Sequence, residues 1–389
     1  RRKGMRIIDR ERSCNLVQEL TLFYIVTKLK NFKSILCNIM HEFWNKQPVP
    51  QDKVIFKNDG EINPSRELRY EKNPLPEGYE WSSCTVDELC EFLKDNYIQD
   101  DFFEFRYSKE LIEWTLYPPG YRDDWNLAIR EKESDKLIAF ISGIPLDVCV
   151  SKKIIQMLQI NFLCVSKHLR DTKFTPMLIG ELKRRMNLQN RWQAIYTVVK
   201  HLPTPIAKVT YWHRLINVKK LNRMKFSDAR EQAHLILGTS QFREMNENDI
   251  PRVTKMLQEH LKKFKLSLNI DESYVRHWIL PRKDTVYTYL SDENEQFTTF
   301  YSLDYVHKSS GETIKQAYTF YNVGNCLKDA IIMARNRGFD VYNCINTGVD
   351  EEELRDHKFM EGTGCNHYYL WNWKINEEIK PKDIGFVMI

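Results

Sequence analysis

Short apolar runs and amphipathic segments alternate along most of this chain. Between residues 81 and 226, apolar runs at 137–144 and 154–165 have the length and composition of buried strands. The segments 85–96 and 175–188 have helical spacing of their apolar positions. Strands that alternate with helices in this way are typical of layered α/β structure. The pattern therefore predicts an α/β fold over this part of the chain.

A second unit of the same kind begins near residues 242–245. Asn248, Asp249 and Pro251 mark the start of a helix that we expect to run to residue 264. A strand at 285–290, a helix at 327–337 and a final aromatic strand at 368–374 follow. Residues 51–80 are rich in Asn, Asp, Pro and Gly and are predicted to form a loop. No sequence repeat links the two units.

We therefore divide the chain into three parts. Residues 1–40 form a predicted helical arm rich in basic residues, 41–227 a first half and 228–389 a second half. The apolar run at residues 20–26 is far shorter than the roughly 20 residues that a membrane-spanning helix needs, so we interpret it as part of an amphipathic docking helix.

Composition favours a folded globular protein over a disordered or fibrous one. The apolar content is 42% and the net charge is +5, a mild excess that does not by itself argue for binding to nucleic acid. Nine cysteines are spaced irregularly without a Cys-x-x-Cys pair, which favours free thiols over disulfides or a zinc site. We expect a soluble, cytoplasmic protein without a metal.

One strand leads directly into a basic loop and then into a helix. Residues 159–167 read Gln-Ile-Asn-Phe-Leu-Cys-Val-Ser-Lys, and Arg170 and Lys173 follow before the predicted helix with Pro176 in its first turn. Backbone N–H groups and the positive end of the helix dipole point outward together at such a place, which suits the phosphates of a nucleotide. On this fragment alone, an ordinary strand-to-helix turn with a solvated basic loop is the commoner explanation.

Taken with other segments, this strand resembles a signature of the eukaryotic N-myristoyltransferases. The family has Glu and His where this chain has Gln159 and Ser166. Further segments resemble the family in order and spacing: residues 43–50, 95–101, 140–145, 193–197, 211–214, 320–323, 338–341 and 368–374. The resemblance extends from about Phe43 to Ile389, nearly the whole chain.

The resemblance implies a fold and an activity. The expected fold is α/β with a mixed sheet: two acetyltransferase-like halves that share one continuous twisted sheet and are related by a pseudo-twofold axis. The expected reaction is transfer of myristate from myristoyl-CoA, the acyl donor, to the N-terminal glycine of proteins. The amine would attack the thioester directly, without a covalent enzyme intermediate.

The resemblance also assigns catalytic roles. The backbone N–H groups of Phe162 and Leu163 would bind the oxyanion, and Asn161 and Thr197 would position the amine. The carboxylate of Ile389 would be the base. The sequence supports this last role independently, because residues 384–389 are apolar and uncharged, which favours a buried tail. A buried terminal carboxylate needs a partner, and an incoming ammonium group is one. Packing of the tail without a catalytic role is the alternative.

For the two substrates, the resemblance supplies longer sets of residues. Those expected at the acyl-CoA site are Glu42, Phe43, Trp44, Phe162, Leu163, Cys164, Val165, Arg170, Asp171, Lys173, Phe174 and Thr175. Those expected at the peptide site are Tyr97, Asp100, Asp101, Phe103, Phe105, Tyr211, His213, Tyr321 and Gly364. We expect Asp100 and Asp101 to recognise basic residues of the peptide, and Cys164 to be structural because no base accompanies it.

Three differences from the family bear on activity. Asp171 stands where the family usually has Ser, and places a carboxylate close to the expected phosphates. Near the C-terminus, Met360 and Thr363 replace Gly and Asp in a Gly-rich signature. If the backbone at Met360 needs a positive φ, the exchange costs about 1 kcal/mol or more.

Two other hypotheses remain open at this point. A non-catalytic homologue could bind acyl-CoA or peptide as an adaptor, and an acetyl-type transferase could use a shorter acyl chain. We further expect a monomer that acts on proteins with an N-terminal glycine and binds no specific nucleic acid. The basic arm could attach it to ribosomes or to a membrane surface.

Overall fold

The computed structural model describes residues 43–50, 58–98, 102–170 and 172–389. Glu42, Asp100, Asp101 and Asp171, and the basic arm at residues 1–40, lie outside the described residues. No helix of the described part is long and apolar enough to cross a membrane.

The strands are β1 (Tyr79–Ser82), β2 (Phe103–Arg106), β3 (Asn126–Glu131), β4 (Leu137–Val150), β5 (Lys153–Val165), β6 (Gln193–Val198), β7 (Ala207–Leu215), β8 (Arg243–Glu244), β9 (Leu266–Leu268), β10 (Val286–Leu290), β11 (Phe297–Ser302), β12 (Asp304–His307), β13 (Thr313–Ile314), β14 (Gln316–Val323), β15 (Val341–Ile345) and β16 (Met360–Trp371). The helices are α1 (Val86–Asn96), α2 (Lys109–Leu116), α3 (Phe174–Leu188), α4 (Val218–Arg223), α5 (Ile250–Leu261), α6 (Glu272–Trp278), α7 (Leu327–Asn336) and α8 (Glu351–Asp356).

Local sequence explains where several of these elements begin. At α1, the backbone N–H of Glu88 donates to Thr85 Oγ1 at 3.2 Å and the Thr85 N–H donates to Glu88 Oε2 at 3.0 Å. This reciprocal pair satisfies two N–H groups that the first helical turn leaves without partners. Pro251 occupies the first turn of α5, where its missing N–H costs no intrahelical bond.

One 13-stranded sheet runs through the molecule in the order β1-β3-β4-β5-β6-β16-β7-β15-β14-β11-β10-β8, with β9 added beside β4. The sheet has the same arrangement of five strands on either side of β16 and β7. β1-β3-β4-β5-β6 and β8-β10-β11-β14-β15 each end on a parallel pair, β5 with β6 and β14 with β15. A helix, α3 or α7, connects each parallel pair. The expected fold of two halves on one continuous mixed sheet is confirmed.

The seam between the halves exchanges strands. β16, from the end of the chain, pairs with β6 of the first half, and β7 pairs with β15 of the second half. β16 and β7 also pair with each other, antiparallel. Separation of the halves would therefore break ladders that join residues far apart in sequence. The division at residue 227 stays a prediction.

Helices cover both faces of the sheet and enclose separate parts of the core. In the first half, α1 and α2 pack over one cluster and α3 over another that includes Trp44 and Trp371. In the second half, α5 and α6 pack over the largest cluster and α7 over a cluster around Phe300 and Tyr342. A small sheet, β13-β12-β2, lies apart from the large one.

Candidate functional site

The strands β5 and β6 diverge at the centre of the candidate site. Their parallel pairing ends at Gln159 and Ile195. Asn161 lies two residues beyond Gln159, and Thr197 two residues beyond Ile195, so both sit where the strands have separated. Because strand side chains alternate with a period of two, each points to the same face as the last paired residue before it. The structure thus brings together the two residues expected to position an amine.

A β-bulge in β5 follows directly. Ser142 of β4 pairs with Asn161 and Phe140 pairs with Cys164, so Phe162 and Leu163 together face the single residue between. Phe162 has a φ of +51°, an uncommon value for a bulky residue. A bulge takes backbone groups out of the ladder and re-aims them. The two residues expected to donate N–H groups to an oxyanion are those that the bulge removes from regular pairing.

The C-terminal tail enters this site as a buried segment. Ile384, Phe386 and Met388 are buried. Gly385 N donates to Leu266 O at 2.8 Å, and the Tyr368 hydroxyl donates to Phe386 O at 3.3 Å. The prediction of a buried tail is confirmed.

The tail ends beside Asn161. With the Asn161 amide oriented so that both of its ends are satisfied, Nδ2 donates to the terminal oxygen of Ile389 at 3.1 Å. In the same orientation Oδ1 accepts from Gln159 Nε2 at 3.1 Å. The carboxylate of Ile389 therefore lies where β5 and β6 diverge, against Asn161, the residue that precedes the bulge.

Beyond the bulge, β5 leads into a positively charged loop. The Arg170 guanidinium donates to Val165 O at 3.5 Å and to Asn96 O, and Lys167 N donates to Asn96 Oδ1 at 3.1 Å. Burial, followed by the nearby charges of Arg170 and Lys308, lowers the pKa of Lys167. These contacts fix the loop against the end of α1 and gather positive charge there. Lys173, Phe174 and Thr175 then form the start of α3, with the Phe174 ring buried.

Aromatic residues of the first half pack against β6 near the diverging strands. The Trp44 ring stacks on Tyr196 with centroids 6.0 Å apart, and Phe43 contacts Trp44 edge-on at 5.3 Å. The Tyr196 hydroxyl is buried and has no hydrogen-bond partner in the described chain. A buried unpaired hydroxyl is costly unless a ligand supplies the missing bond. The amide-rich pantetheine arm of coenzyme A is such a ligand, so the residues present fit this group.

Cys164 and Val165 point into different clusters of this region. Val165 packs in the cluster with Trp44, while Cys164 packs with the residues of α1. Burial raises the pKa of the Cys164 thiol to about 12, so it stays protonated at neutral pH and is a poor nucleophile.

A second aromatic group lies on the other side of the bulge. The Tyr97 and Phe162 rings are 6.1 Å apart, and Tyr107 contacts both, at 5.8 and 6.2 Å. Phe105 continues the row at 6.4 Å from Tyr107. Burial raises the pKa of Tyr107 well above its ordinary value. Tyr97, Phe105 and Phe162 were expected here from the sequence, whereas Tyr107 was not.

His213 and the Gly-rich segment of β16 form a further wall. His213 Nδ1 lies 2.7 Å from Asn343 Oδ1, and burial lowers the pKa of His213. The register of β16 against β7 shifts between Glu361 and Cys365, so residues 362–364, including the buried Gly364, bulge out of the ladder. Tyr211, on the same strand as His213, accepts a hydrogen bond from Asn366 Nδ2 at 3.1 Å.

Two expected peptide-site residues are packed against other partners. The Phe103 ring stacks on Tyr305 at 4.9 Å within the small sheet. The Tyr321 hydroxyl lies 2.9 Å from that of Tyr274, on α6. Each of these residues therefore has a packing partner outside the divergence of β5 and β6. We call Tyr97, Phe105 and Tyr107, together with Phe162, the Tyr97–Tyr107 row. The central site consists of this row, the divergence of β5 and β6, the bulge and the terminal carboxylate.

Sequence comparison assigns this arrangement to a family. Residues 60–209 match the sequence model described as Myristoyl-CoA:protein N-myristoyltransferase, N-terminal domain, and residues 216–387 match its C-terminal domain. Glycylpeptide N-tetradecanoyltransferase 1 of Arabidopsis thaliana is 39% identical over 90% of this chain and 89% of its own length. The chain belongs to the N-myristoyltransferase family.

Further relatives agree. Glycylpeptide N-tetradecanoyltransferase of Plasmodium falciparum is 36% identical over 90% of this chain and 94% of its own. The crystal structure of Saccharomyces cerevisiae N-myristoyltransferase with bound myristoyl-CoA superposes with a TM-score of 0.84 at 27% identity, covering 90% of this chain and 94% of that one.

Met360, which differs from the N-myristoyltransferase signature, causes no strain in the backbone. Met360 is not among the residues with positive φ, and it pairs with His213 as a regular strand residue. The positive φ falls on Lys358, at +64°. The expected strain at Met360 is therefore absent, because the strand begins there and the turn comes before it.

Tyr107 in the central site, Tyr196 beside Trp44 and Lys167 in the positive loop were not predicted. Tyr107 continues the alternation of Phe103 and Phe105, so the period of two could have identified it. Tyr196 and Lys167 lie within matched segments but carry no signal of their own. In the described part of the chain, no group of three His, Cys, Asp or Glu side chains could hold a metal ion.

Proposed function

We propose that this protein transfers myristate from myristoyl-CoA to the N-terminal glycine of proteins. Its relatives are named for this reaction, and the solved relative carries myristoyl-CoA. The observation that carries the proposal is the Ile389 carboxylate, held by Asn161 where β5 and β6 diverge. A carboxylate, freed backbone N–H groups and a positive loop are what amide formation from a CoA thioester requires.

The positive loop and the aromatic rings would hold the acyl donor. The phosphates would lie against Lys167, Lys173 and the start of α3, where backbone N–H groups and the helix dipole favour anions. The pantetheine arm would pass Trp44 and Tyr196 into the gap between the strands. Glu42 and Asp171, which lie outside the described residues, stay predictions for this site.

The bulge would stabilise the transition state. As the amine nitrogen bonds to the thioester carbon, negative charge develops on the carbonyl oxygen, and the N–H groups of Phe162 and Leu163 would donate to it. Each such donor is worth ~3–4 kcal/mol in comparable acyl transfers. Because these groups are fixed by the bulge, no reorganisation is needed when the charge develops.

The terminal carboxylate would activate the amine. An α-amine with an ordinary pKa of about 7.7–8.0 is mostly protonated at neutral pH and cannot attack. The Ile389 carboxylate would accept one proton from the ammonium group, with Thr197 and Asn161 orienting the nitrogen. The nitrogen then bonds to the acyl carbon and the carbon–sulfur bond breaks. The departing thiolate takes the second proton, which leaves a neutral amide and free CoA.

The Tyr97–Tyr107 row, Tyr211 and His213 would line the path of the peptide away from the reacting amine. Asp100 and Asp101 lie between Tyr97 and Phe105 in sequence, and we assign to them the recognition of basic residues of the peptide. Phe103 and Tyr321 would act only indirectly, through the elements that they pack.

A short C-terminal extension tests the proposal. Addition of Gly-Ser-Gly after Ile389 moves the carboxylate away from Asn161, so turnover with myristoyl-CoA and an N-terminal Gly peptide should be abolished. Binding of myristoyl-CoA, measured by calorimetry, should persist. A matched tag placed before residue 1 should leave both intact. Full turnover by the extended protein would refute the base assignment, and binding without turnover by the untagged protein would favour an adaptor.

A further inference from the structure

The second half contains a cavity at the position that corresponds to the central site. The parallel pairing of β14 with β15 ends at Tyr318 and Asn343, as that of β5 with β6 ends at Gln159 and Ile195. Just beyond lies a partly open cavity of about 130 Å³. It is bounded by the ends of β14 and β15, α8, the residues after α5 and the C-terminal tail.

The lining combines aromatic walls with two ionisable groups. Phe264, Phe320 and Phe386 supply rings, and His260 and Glu353 supply the ionisable groups. A cavity of ~150 Å³ accommodates a benzene ring in other proteins. The space therefore suits one aromatic ring, and a short substituent can extend through the open side of the cavity.

Glu353 gives the cavity a negative charge. The nearby Arg355 pairs with Glu351 at 3.0 Å, and no described cation forms an ion pair with Glu353. After burial itself, the charge of Glu353 contributes to the raised pKa of the Cys344 thiol, another wall residue. The negative charge of Glu353 is therefore felt by groups inside the cavity.

His260 adds a neutral polar group. Its Nδ1 is buried and has no hydrogen-bond partner in the described chain. Burial, with a smaller contribution from Lys263, lowers the pKa of His260 to about 4, so the ring is uncharged at neutral pH. An uncharged imidazole does not repel a cation, and it leaves one nitrogen free for a ligand.

We propose that this cavity binds a compact aromatic amine, with its ring among the phenylalanines and its ammonium group against Glu353. Phosphate-bearing ligands such as CoA are disfavoured here because the unpaired ionised group is a carboxylate. The two halves of the sheet thus use corresponding clefts for ligands of opposite charge.

The same cavity is coupled to the tail that ends at Ile389. Gly385, Phe386 and Val387 form part of its wall. A Cβ atom on Gly385 would collide with the Phe264 ring, so the tail and Phe264 are in close contact. A ligand that binds only when this wall is in place stabilises the docked tail. Neither the binding of the amine nor the docking of the tail depends on the proposed function.

Titration with 2-phenylethylamine, followed by ligand-observed NMR, tests the binding. We expect saturable binding to the wild-type protein, weakened roughly tenfold in Glu353→Gln because a charge-assisted hydrogen bond is lost. Glu352→Gln, on the exposed side of the same helix, is the matched control and should bind as the wild type. The neutral analogue 2-phenylethanol should bind as weakly to the wild type as the amine binds to Glu353→Gln.

Carboxypeptidase digestion supplies an independent readout. Release of Ile389 requires the tail to undock, so 2-phenylethylamine should slow it in the wild type and less in Glu353→Gln at the same concentration. Absence of binding, equal binding by both Glu variants, or unprotected digestion at saturation would overturn the proposal. Displacement of the amine by a substrate peptide would place it at the terminal carboxylate instead, and would overturn it too.

Discussion

Asn161 donates its side-chain N–H to the terminal oxygen of Ile389 at 3.1 Å, across a sequence separation that includes the whole second half of the chain. The contact joins the strand that carries the bulge to Ile389, at the end of the tail. It places a carboxylate against Asn161, the residue that precedes the bulge.

Asn161→Ala should lower kcat roughly tenfold or more and shift its acid limb to higher pH. A carboxylate that loses a hydrogen-bond donor holds its proton more tightly, and only the deprotonated form can accept the amine's proton. Steady-state kinetics between pH 5.5 and 8.5 measure both effects. Asn336→Ala, at an exposed position at the end of α7, is the control. An unshifted acid limb with reduced kcat would limit Asn161 to a structural role.

Gly362→Ala should raise the KM for peptide severalfold. A Cβ atom there would lie 2.5 Å from His213 Nε2 and 2.9 Å from the Tyr211 carbonyl oxygen, so the strand or the ring must move. Affinity for myristoyl-CoA, measured by calorimetry, should be unchanged because the first-half cleft is not touched. Gly60→Ala, where nothing lies within 4 Å, should change neither value. Wild-type peptide kinetics in Gly362→Ala would exclude His213 from the peptide path.

Tyr107→Ala should lower the melting temperature and also kcat. Tyr107 is partly buried and packs against both Tyr97 and Phe162. Removal of a fully buried aromatic ring typically costs about 3–5 kcal/mol, so we expect a smaller loss here. Loss of this support loosens the residue whose N–H would bind the oxyanion. Tyr107→Phe keeps the ring and should restore both values. Tyr121→Ala, at a ring that is 43% exposed, should leave both near wild type.

The free energy of unfolding should fall as the pH falls below 6.5, partly because of His277. Burial lowers the pKa of His277 to about 4, and its Nε2 lies 2.7 Å from Trp114 O. Between pH 6.5 and 4 the unfolded chain binds a proton at this position that the folded chain does not. Each such histidine removes about 1.4 kcal/mol of stability per pH unit of acidification in this range.

Urea denaturation at pH 7.0, 6.0 and 5.0 measures this dependence. His277→Gln can still donate to Trp114 O but cannot titrate, so its pH slope should be shallower by about one proton. His168→Gln, at an exposed ring, should retain the wild-type slope. Equal slopes in wild type and His277→Gln would show that the ring becomes protonated without unfolding.

Much of the first half was predictable because its signals are local. The helix expected at 175–188 is observed as Phe174–Leu188, and the strand expected at 154–165 as Lys153–Val165. The apolar, uncharged composition of residues 384–389 likewise predicted that the tail is buried. These elements follow from periodicity, capping and turn residues, which act over a few positions.

Other features depend on distant partners and were missed. The final strand was expected to begin at residue 368, but β16 begins at Met360. Residues 360–367 lack a strand pattern of their own and are held by pairing with β7. The bulge at Phe162 and the buried hydroxyl of Tyr196 also depend on distant residues. The bulge is defined by pairing with β4, and the Tyr196 ring is covered by Trp44. The aromatic residues of the central site could therefore be predicted only in part.

The exchange of β16 and β7 sets the order in which the protein can be completed. β16 lies in the middle of the sheet, yet it follows every other described strand in sequence and is synthesised after them. Until it emerges from the ribosome, β6 and β7 have no strand between them and the two half-sheets cannot join. Ile389 follows β16 in sequence, so a nascent chain acquires its proposed base only after the strands of both half-sheets have been synthesised.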